Sequence, residues 1–475
     1  MSQFAAAIPI IIVVLSAIAA MLAEAIRRPG ERMYIAGFGL IGLSGAAIAS
    51  IVLWDSDAVS FGVVRADNFA LFVNLVLCAI GILTMIFSND VVEREGLPAG
   101  EYYALTLFAI SGMMLMAAAI DLLVIFLALE VLSLAVYVLT GLRRDSAMGA
   151  EAAFKYFLLG AFSSAFFLYG VALAFLFSGS TRLEVIGNAM AGAAPPLVAI
   201  LSVGLLAVGF CFKVSAVPFH MWAPDAYEGA PTIVTAFMST AVKAAAFAAF
   251  IRVFLSTLQP LQSQWVPMLA VISAATMILG TVVALLQNNI KRLLAYSSIA
   301  HAGYMLLGIV SANASGKAAV LFYLLAYAVT NLGALAIVAL LGTPDHPHDQ
   351  LRDFAGLWRT RPALAGLMTV FLLSLGGFPP TAGFIGKWYI FEAAVENSYY
   401  TLAIIGVVTS VISVFFYLRI VVMMYMTEDT SAAARPAVSF PSMAALGLAV
   451  IATFYLGVLP TRVIDFALRS IQTIL

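Results

Sequence analysis

Charged residues are scarce in this chain of 475 residues: Asp, Glu, Lys and Arg make up 10% of it, whereas 63% is hydrophobic. A soluble domain is about a quarter charged and about half apolar, so this composition excludes an ordinary water-facing surface. Apolar runs of about 18 or more residues recur along the chain, which indicates membrane-spanning helices rather than a membrane barrel. The sequence therefore predicts an all-α polytopic membrane protein in contact with a lipid bilayer.

Cysteine and histidine are scarce as well. Cys78 and Cys211 are the two cysteines, too few for an iron–sulfur cluster, which takes about four thiolate or imidazole ligands. The four histidines do not favour haem, because His346 and His348 share a polar loop, where we expect them to be solvated, and the other two lie near unlike apolar runs. The net charge of −1 gives no basis for a nucleic-acid partner.

The apolar runs divide into fourteen predicted spans joined by short loops. They lie at residues 4–26, 33–54, 68–88, 102–119, 122–141, 152–178, 196–217, 232–256, 264–287, 292–310, 318–342, 363–388, 400–426 and 438–460.

Two of these spans contain helix-breaking sequences at membrane depth. Span 7 runs into Lys213-Val-Ser-Ala-Val-Pro218-Phe-His220, and span 12 contains Gly376-Gly377-Phe-Pro379-Pro380. Proline removes a backbone donor and clashes with the preceding turn, so both helices should be interrupted. If spans 4–8 and 9–13 form two five-helix units, the broken helix is the fourth in each, and the odd number of helices inverts the second unit.

This reasoning divides the chain into four parts. Residues 1–101 hold helices 1–3, residues 102–256 the first five-helix repeat, residues 264–426 the second, inverted repeat, and residues 438–475 the last helix.

The positive charges predict the orientation. The odd-numbered loops hold twelve Lys or Arg residues, and the even-numbered loops with the C-terminus hold six. By the positive-inside rule the odd-numbered loops face the cytoplasm or an organelle matrix, and both termini lie on the opposite side.

The five remaining basic residues fall inside predicted spans and are joined there by one carboxylate: Lys155, Lys213, Lys243, Lys387, Arg419 and Glu130. Each costs roughly 2.5–3.5 kcal/mol at mid-membrane on insertion scales, so they need partners, water or a function. Glu130 paired with Lys213 or Lys155 could exchange protons, since burial and a neighbouring carboxylate act oppositely on a lysine. A fixed ion pair that only locks the helices together is the alternative.

Polar residues inside the spans follow helical spacing and so share helix faces. Glu130, Ser133, Tyr137 and Thr140 form one such stripe, and Ser297, His301 and Tyr304 form another. The stripes could hold a file of water, or Ser, Thr and Asn could merely join helices. His220 and His301 could be proton relays or satisfied core histidines. Asp225 could lie on an ion path or serve a helix start.

The motifs around these residues identify the chain as similar to the antiporter-like proton-pumping subunits of respiratory complex I (NADH:quinone oxidoreductase), within them to the N-type, equivalent to mitochondrial subunit 2. The family is shared with multisubunit cation/proton antiporters. The resemblance covers nearly the whole chain and rests on Leu-Ala-Leu-Glu130-Val-Leu-Ser, Phe212-Lys213-Val-Ser-Ala-Val-Pro218-Phe219-His220-Met-Trp222-Ala-Pro224-Asp225, Ala-Val-Lys243-Ala, Ser297-Ser298-Ile-Ala-His301-Ala-Gly303-Tyr304 and Pro379-Pro380-Thr-Ala-Gly-Phe-Ile-Gly-Lys387.

The resemblance implies a proton path driven by redox chemistry in partner subunits. Glu130 and Lys213 would serve the input half-channel, Lys243 the central relay and Lys387 the output side. Lys155, His220, Asp225, His301 and Tyr304 are further candidates.

It also implies no cofactor and no metal in this chain, with FMN, iron–sulfur clusters and quinone in the other complex I subunits, among them neighbouring antiporter-like membrane subunits. The expected location is the bacterial cytoplasmic (inner) membrane with both termini periplasmic, which we favour over the mitochondrial inner membrane. A subunit of a multisubunit cation/proton antiporter is the alternative function.

Overall fold

The computed structural model describes residues 3–27, 34–191, 196–343, 348–428 and 436–474. Within these ranges, eleven helices are long and apolar enough to cross a membrane, and each falls in a predicted span. Three shorter apolar helices, Ala36–Val52, Leu197–Lys213 and Pro362–Gly376, fall in the three remaining predicted spans. The all-α membrane class is thus confirmed, and the fourteen crossings stay a prediction.

The N-terminal part begins with a short 3-10 turn, Ala5–Ala7. Its further elements are α1 (Ile8–Ile26), α2 (Ala36–Val52), β1 (Ala58–Ser60), β2 (Val64–Ala66) and α3 (Asn68–Arg94).

The next group of helices ends with one long buried helix in which two π-helical segments, Met238–Val242 and Val253–Thr257, interrupt or follow the α-helical parts. The group consists of α4 (Ala99–Ala118), α5 (Leu122–Thr140), α6 (Ala147–Ser178), α7 (Leu183–Met190), α8 (Leu197–Lys213), α9 (Trp222–Gly229), α10 (Thr232–Phe237) and α11 (Lys243–Arg252).

The C-terminal half follows after a 3-10 turn, Gln259–Leu261, and has a second one at Leu351–Phe354. Its helices are α12 (Gln262–Leu285), α13 (Ile290–Ser311), α14 (Ala314–Leu341), α15 (Leu357–Thr360), α16 (Pro362–Gly376), α17 (Ala382–Glu396), α18 (Tyr400–Met426), α19 (Phe440–Val458) and α20 (Thr461–Gln472).

Both predicted helix breaks are present. α8 ends at Lys213 and the chain turns before α9 begins at Trp222, while α16 ends at Gly376 and α17 begins at Ala382. Gly377 closes α16 in the left-handed region with φ +85°, a conformation that glycine adopts without steric cost. Each break contains a cis peptide bond before a proline, Val217-Pro218 and Pro379-Pro380.

The core lies around the helix that α10 and α11 form and around α13 and α14, all of which are almost entirely buried. α1, α6, α12, α18 and α19 are the more exposed helices and present large apolar side chains outward. Lys243 follows directly on the π-helical segment Met238–Val242, so the innermost helix departs from regular α-geometry where it carries a lysine.

A two-stranded hairpin and the amphipathic helix α20 are absent from our sequence-based assignment. β1 pairs antiparallel with β2, with Val59 opposite Arg65. The Trp54 ring stacks on Phe466 of α20 at a centroid distance of 4.2 Å, which holds the C-terminal helix against the N-terminal part.

Arg419 lies on α18 within a predicted span, as expected, and its guanidinium donates to Leu285 O, Gln287 O and Asn288 Oδ1 at the end of α12. Arg419 therefore satisfies the last carbonyls of a neighbouring helix, where positive charge is favourable. His348 is buried rather than solvated, and His346 lies outside the described residues.

Candidate functional site

Five lysines of the described residues are buried, and three of them are those expected on the proton path: Lys213, Lys243 and Lys387 are 2%, 1% and 3% exposed. None of them takes part in the ion pairs within 4.0 Å that join described residues. Their partners are hydroxyl groups, carbonyl groups and aromatic rings. Such partners can accept a hydrogen bond from an ammonium without neutralising it.

Lys213 lies at the end of α8 among aromatic rings. Its Nζ is 3.5 Å from the Tyr137 hydroxyl and 5.2 Å and 5.6 Å from the ring centroids of Tyr137 and Tyr156. Tyr156 in turn stacks on Trp222 at 4.1 Å. Cation–π contacts thus replace a counter-ion at this lysine.

Glu130 lies two helical turns before Tyr137 on α5 and accepts a hydrogen bond of 2.5 Å from Ser164 Oγ. In the described structure it forms no ion pair with Lys213 or Lys155, so the direct pair that we expected is absent.

Lys243 is held by a single residue of α13. Its Nζ donates to the Ser298 carbonyl oxygen at 2.5 Å and also to Ser298 Oγ. The Tyr327 hydroxyl of α14 donates to the same Ser298 Oγ at 2.8 Å. Ser298 is therefore the junction between the central lysine and α14.

His301 lies one turn further along α13 between two tyrosines. Its Nδ1 is 2.5 Å from the Tyr323 hydroxyl and its Nε2 is 3.0 Å from the Tyr417 hydroxyl, which also bonds to Ser297 Oγ. The His301 ring centroid is 5.2 Å from that of Tyr327. Both ring nitrogens thus have hydroxyl partners, which fits a satisfied core histidine and a relay equally.

Lys387 uses the second helix break. Its Nζ donates to the carbonyl oxygens of Leu375 and Gly376 at 3.0 and 3.3 Å and to Ser410 Oγ at 2.8 Å. Those carbonyls lie at the C-terminus of α16, where helix geometry leaves them without an intrahelical donor. Tyr304 lies beneath the same ammonium, with its ring centroid 5.2 Å away and its hydroxyl 3.3 Å from Thr409 Oγ1.

Lys155 and Asp225 lie in a separate charged cluster. Lys155 is 44% exposed and pairs with Glu151 at 2.7 Å and Asp225 at 2.9 Å. Arg292 bridges Asp225 and Glu228 at 2.8 Å each. Glu151, Lys155, Asp225 and Glu228 border an open cavity of about 190 Å³. Lys155 is therefore not part of the buried row of lysines.

His220 follows the first break and is half-buried. Its Nδ1 is buried and has no hydrogen-bond partner among the described residues. Both alternatives for His220, a relay and a core histidine, stay predictions.

Comparisons with known proteins decide the family. The family model described as NADH:quinone oxidoreductase/Mrp antiporter, TM matches residues 119–413. NADH-quinone oxidoreductase subunit N of Trichlorobacter lovleyi is 44% identical over 444 residues, covering 93% of this chain and 91% of that protein. The chain belongs to the subunit N family of NADH-quinone oxidoreductase.

Solved structures agree with this membership. A chain in the structure of respiratory complex I from Thermus thermophilus with bound aureothin matches with a TM-score of 0.81 and 34% identity, over 96% of this chain and 98% of that chain. A chain of the Mrp complex from a Dietzia species has the same TM-score at 20% identity, over 99% of this chain and 97% of that chain, and shares the fold. The resemblance drawn from the motifs is thus confirmed.

Several residues of the site in this subunit N family member were not among those expected from the sequence. Lys291 was counted as a loop charge, but it is buried in α13 and donates to Glu228 O and Ala230 O at 2.6 Å each. Ser298 and Tyr417 each join several hydrogen-bonding partners. Their helical spacing in the sequence did not distinguish them from residues that only pack between helices. In the described ranges no three His, Cys, Asp or Glu side chains lie together as a metal site would require.

Proposed function

We propose that this chain is a membrane subunit of a proton-translocating NADH:quinone oxidoreductase and that protons pass along Lys213, Lys243 and Lys387. The observation that carries the proposal is the row of three buried lysines with neutral partners only. A buried ammonium without a carboxylate is costly to keep charged, so each lysine can release its proton when a neighbouring group accepts it.

Hydroxyl groups and one imidazole link the second and third lysines. Lys243 bonds to Ser298, Ser298 to Tyr327, and the Tyr327 ring lies against His301. His301 and Lys387 both contact the Tyr304 ring. Hydroxyl groups and imidazole can accept one proton while they donate another, so this set supports a relay completed by water.

Glu130 is the input control in this proposal. It lies two helical turns before Tyr137 on α5, and the Tyr137 hydroxyl is 3.5 Å from Lys213 Nζ, so a movement of α5 would change the charge and the hydroxyl group near Lys213 together. His220 and Asp225 both follow the first break and are further candidates for the input side. The energy comes from redox chemistry in partner subunits, which would carry FMN, iron–sulfur clusters and quinone.

The two five-helix repeats, 102–256 and 264–426, supply the two half-channels in this proposal, each with one broken helix beside a lysine. In this proposal the protein lies in the bacterial cytoplasmic membrane. The loops that carry Arg143 and Lys291 face the cytoplasm, so that both termini are periplasmic. Neighbouring antiporter-like subunits would cover some of the exposed apolar helices.

The test replaces Lys213 and Lys387 separately by Met in the assembled complex and measures proton pumping per NADH oxidised in proteoliposomes. We expect pumping to fall in both variants, because methionine cannot carry a proton. Lys317→Met is the matched control, since Lys317 is equally buried but donates to Leu255 O outside the row. Its pumping ratio should stay at the wild-type value.

Unchanged pumping in both Lys213→Met and Lys387→Met would refute the relay. A complex that purifies without flavin or iron–sulfur clusters and transports Na⁺ against protons would instead identify a cation/proton antiporter subunit.

A further inference from the structure

Tyr227 is a buried hydroxyl group that the row of lysines does not use. It is 1% exposed and lies on α9 after the first helix break, and its hydroxyl, although Ser298 lies next to it, makes no hydrogen bond within 3.5 Å to a described residue. A buried, unpaired hydroxyl group is rare and needs an explanation such as a bound water.

The surroundings of this hydroxyl group point to one neighbour. It lies beside Ser298, the residue whose Oγ already bonds to Lys243 and Tyr327. Tyr227 therefore faces the junction at the central lysine directly.

The other face of α9 carries the charged cluster. Asp225 and Glu228 are three residues apart and share one helix face, whereas Tyr227 projects from the opposite side. Both carboxylates bind Arg292 at the start of α13, and α9 packs against that helix. One short helix thus connects an open cavity with the buried centre.

Lys291 lies between these two regions. Its Nζ is fixed on the last carbonyls of α9, Glu228 O and Ala230 O. Ser298 is seven residues later on the same helix, about 10.5 Å along the axis, and projects from nearly the same face. Tyr227 lies on the Ser298 side of this interval.

We infer that Tyr227 is a proton-relay residue that connects the cavity bordered by Asp225 and Glu228 to Lys243 through Ser298, as an entry route separate from Lys213. This inference rests on the proposed function. The route explains why the hydroxyl is buried without a hydrogen bond to a protein group, because a water on the cavity side would supply one.

The proton balance of this route is simple. Neutral Lys243 forms an N–H bond with a proton from Ser298 Oγ, Ser298 takes the proton of the Tyr227 hydroxyl, and Tyr227 takes one from a hydronium ion that enters from the cavity and is left as water. Each hydroxyl group breaks one O–H bond and forms another, so both end neutral. The net change is one proton moved from the cavity to Lys243.

The route from Lys213 to the same lysine has a different character. Lys213 contacts Tyr156, Tyr156 stacks on Trp222, and the Trp222 ring meets Tyr227 at 6.0 Å. The Trp222 Nε1 proton is bound to Phe212 O, so this line of rings offers no exchangeable proton between Tyr156 and Tyr227. Tyr227 therefore gives Lys243 a hydroxyl route to the cavity that does not pass through this line of rings.

The experiment compares Tyr227→Phe, Lys243→Met and Tyr102→Phe in the assembled complex reconstituted in proteoliposomes. Tyr102 of α4 is also buried, but its hydroxyl bonds to Ser88 Oγ of α3 at 2.6 Å, and both residues lie outside the route. Pumped protons per NADH oxidised, subunit content and heat stability are measured for each. Tyr227→Phe removes a hydroxyl group without a protein partner, so a purely structural role predicts unchanged or higher stability.

We expect Tyr227→Phe to reproduce most of the pumping loss of Lys243→Met at wild-type stability, while Tyr102→Phe pumps normally. If Lys243→Met abolishes pumping and Tyr227→Phe pumps like the wild type, the inference is overturned and the proposed function stands. If Lys243→Met also pumps normally, both are overturned.

Discussion

The buried ion pair between Asp67 and Arg252 allows a sharp prediction about stability. Asp67 ends the hairpin and caps α3 by accepting from Ala70 N at 2.8 Å, and Arg252 ends the helix that begins with Lys243. The pair is bidentate at 2.8 Å for both hydrogen bonds, and Arg252 Nε also donates to Ala117 O. The side chains are 0% and 4% exposed, so no solvent replaces a lost partner.

The perturbation is Asp67→Asn, which keeps a good helix N-cap but removes the charge. A buried guanidinium then lacks its counter-ion, and breaking a buried pair in this way costs about 3–5 kcal/mol of the free energy of unfolding. In the double variant Asp67→Asn/Arg252→Met the orphan charge is removed as well. We expect the double variant to lose less free energy of unfolding than the two single variants lose together.

The chain contains a matched control at the same open end of the hairpin, where Ala58 pairs with Ala66. Asp57 binds Arg65 with two hydrogen bonds of 2.6 Å, but the side chains are 54% and 37% exposed. The hydrogen bonds from Arg65 hold the pKa of the Asp57 carboxyl below its usual range, so this pair is also charged at neutral pH. Asp57→Asn should cost at most about 1 kcal/mol, because solvent screens an exposed pair.

The assay is the temperature at which half of the purified complex loses this chain on heating in detergent at pH 7, measured for both single variants and the double variant. We expect a clear decrease for Asp67→Asn and a shift close to zero for Asp57→Asn. Equal shifts for the two variants would refute the argument, since the pairs differ in burial and hardly in geometry.

Two further predictions concern pumping. Glu130→Gln keeps an acceptor for Ser164 Oγ and should reduce pumped protons per NADH with normal assembly, whereas a passive scaffold would pump unchanged. In Gly383→Ala the new Cβ would lie 1.9 Å from Ser374 O, so α17 must shift, and we expect lower stability and weaker pumping through displaced Lys387. Gly366→Ala, whose Cβ meets nothing within 4 Å, should leave both measurements near wild type, and equal losses in the two alanine variants would contradict this steric reasoning.

The sequence predicted the helices well because each signal is local. Apolar runs of sufficient length indicate the spans, and Pro218 and Pro379 indicate the two breaks through their missing backbone donors. The hairpin was missed because strands of three residues, such as Val64–Ala66, have no periodicity of their own. α20 was missed because its polar face makes it resemble a tail rather than a span.

The site was less predictable because burial depends on neighbouring helices. Lys213, Lys243 and Lys387 were found since a lysine inside an apolar run is conspicuous. Lys155 lies in an equally apolar run, yet its side chain is half-exposed beside Asp225. Lys291 shows the converse: it lies among loop charges in the sequence, but α13 begins one residue earlier and buries it.

The two helix breaks give Lys213 and Lys387 different hydrogen-bond partners, and this difference bears on which lysine a conformational change would affect. At the second break, the freed carbonyls of Leu375 and Gly376 bind Lys387 directly, together with Ser410. At the first break, the Phe212 carbonyl is occupied by Trp222 Nε1, and Lys213 keeps one hydroxyl at 3.5 Å and its aromatic neighbours. The ammonium of Lys387 is thus held by fixed carbonyl dipoles of its own break, whereas Lys213 depends on Tyr137 of α5 for its hydroxyl partner. A displacement of α5 would therefore move the hydroxyl partner of Lys213 and leave the carbonyl partners of Lys387 in place, so in the proposed function Lys213 is the lysine that responds to a conformational signal.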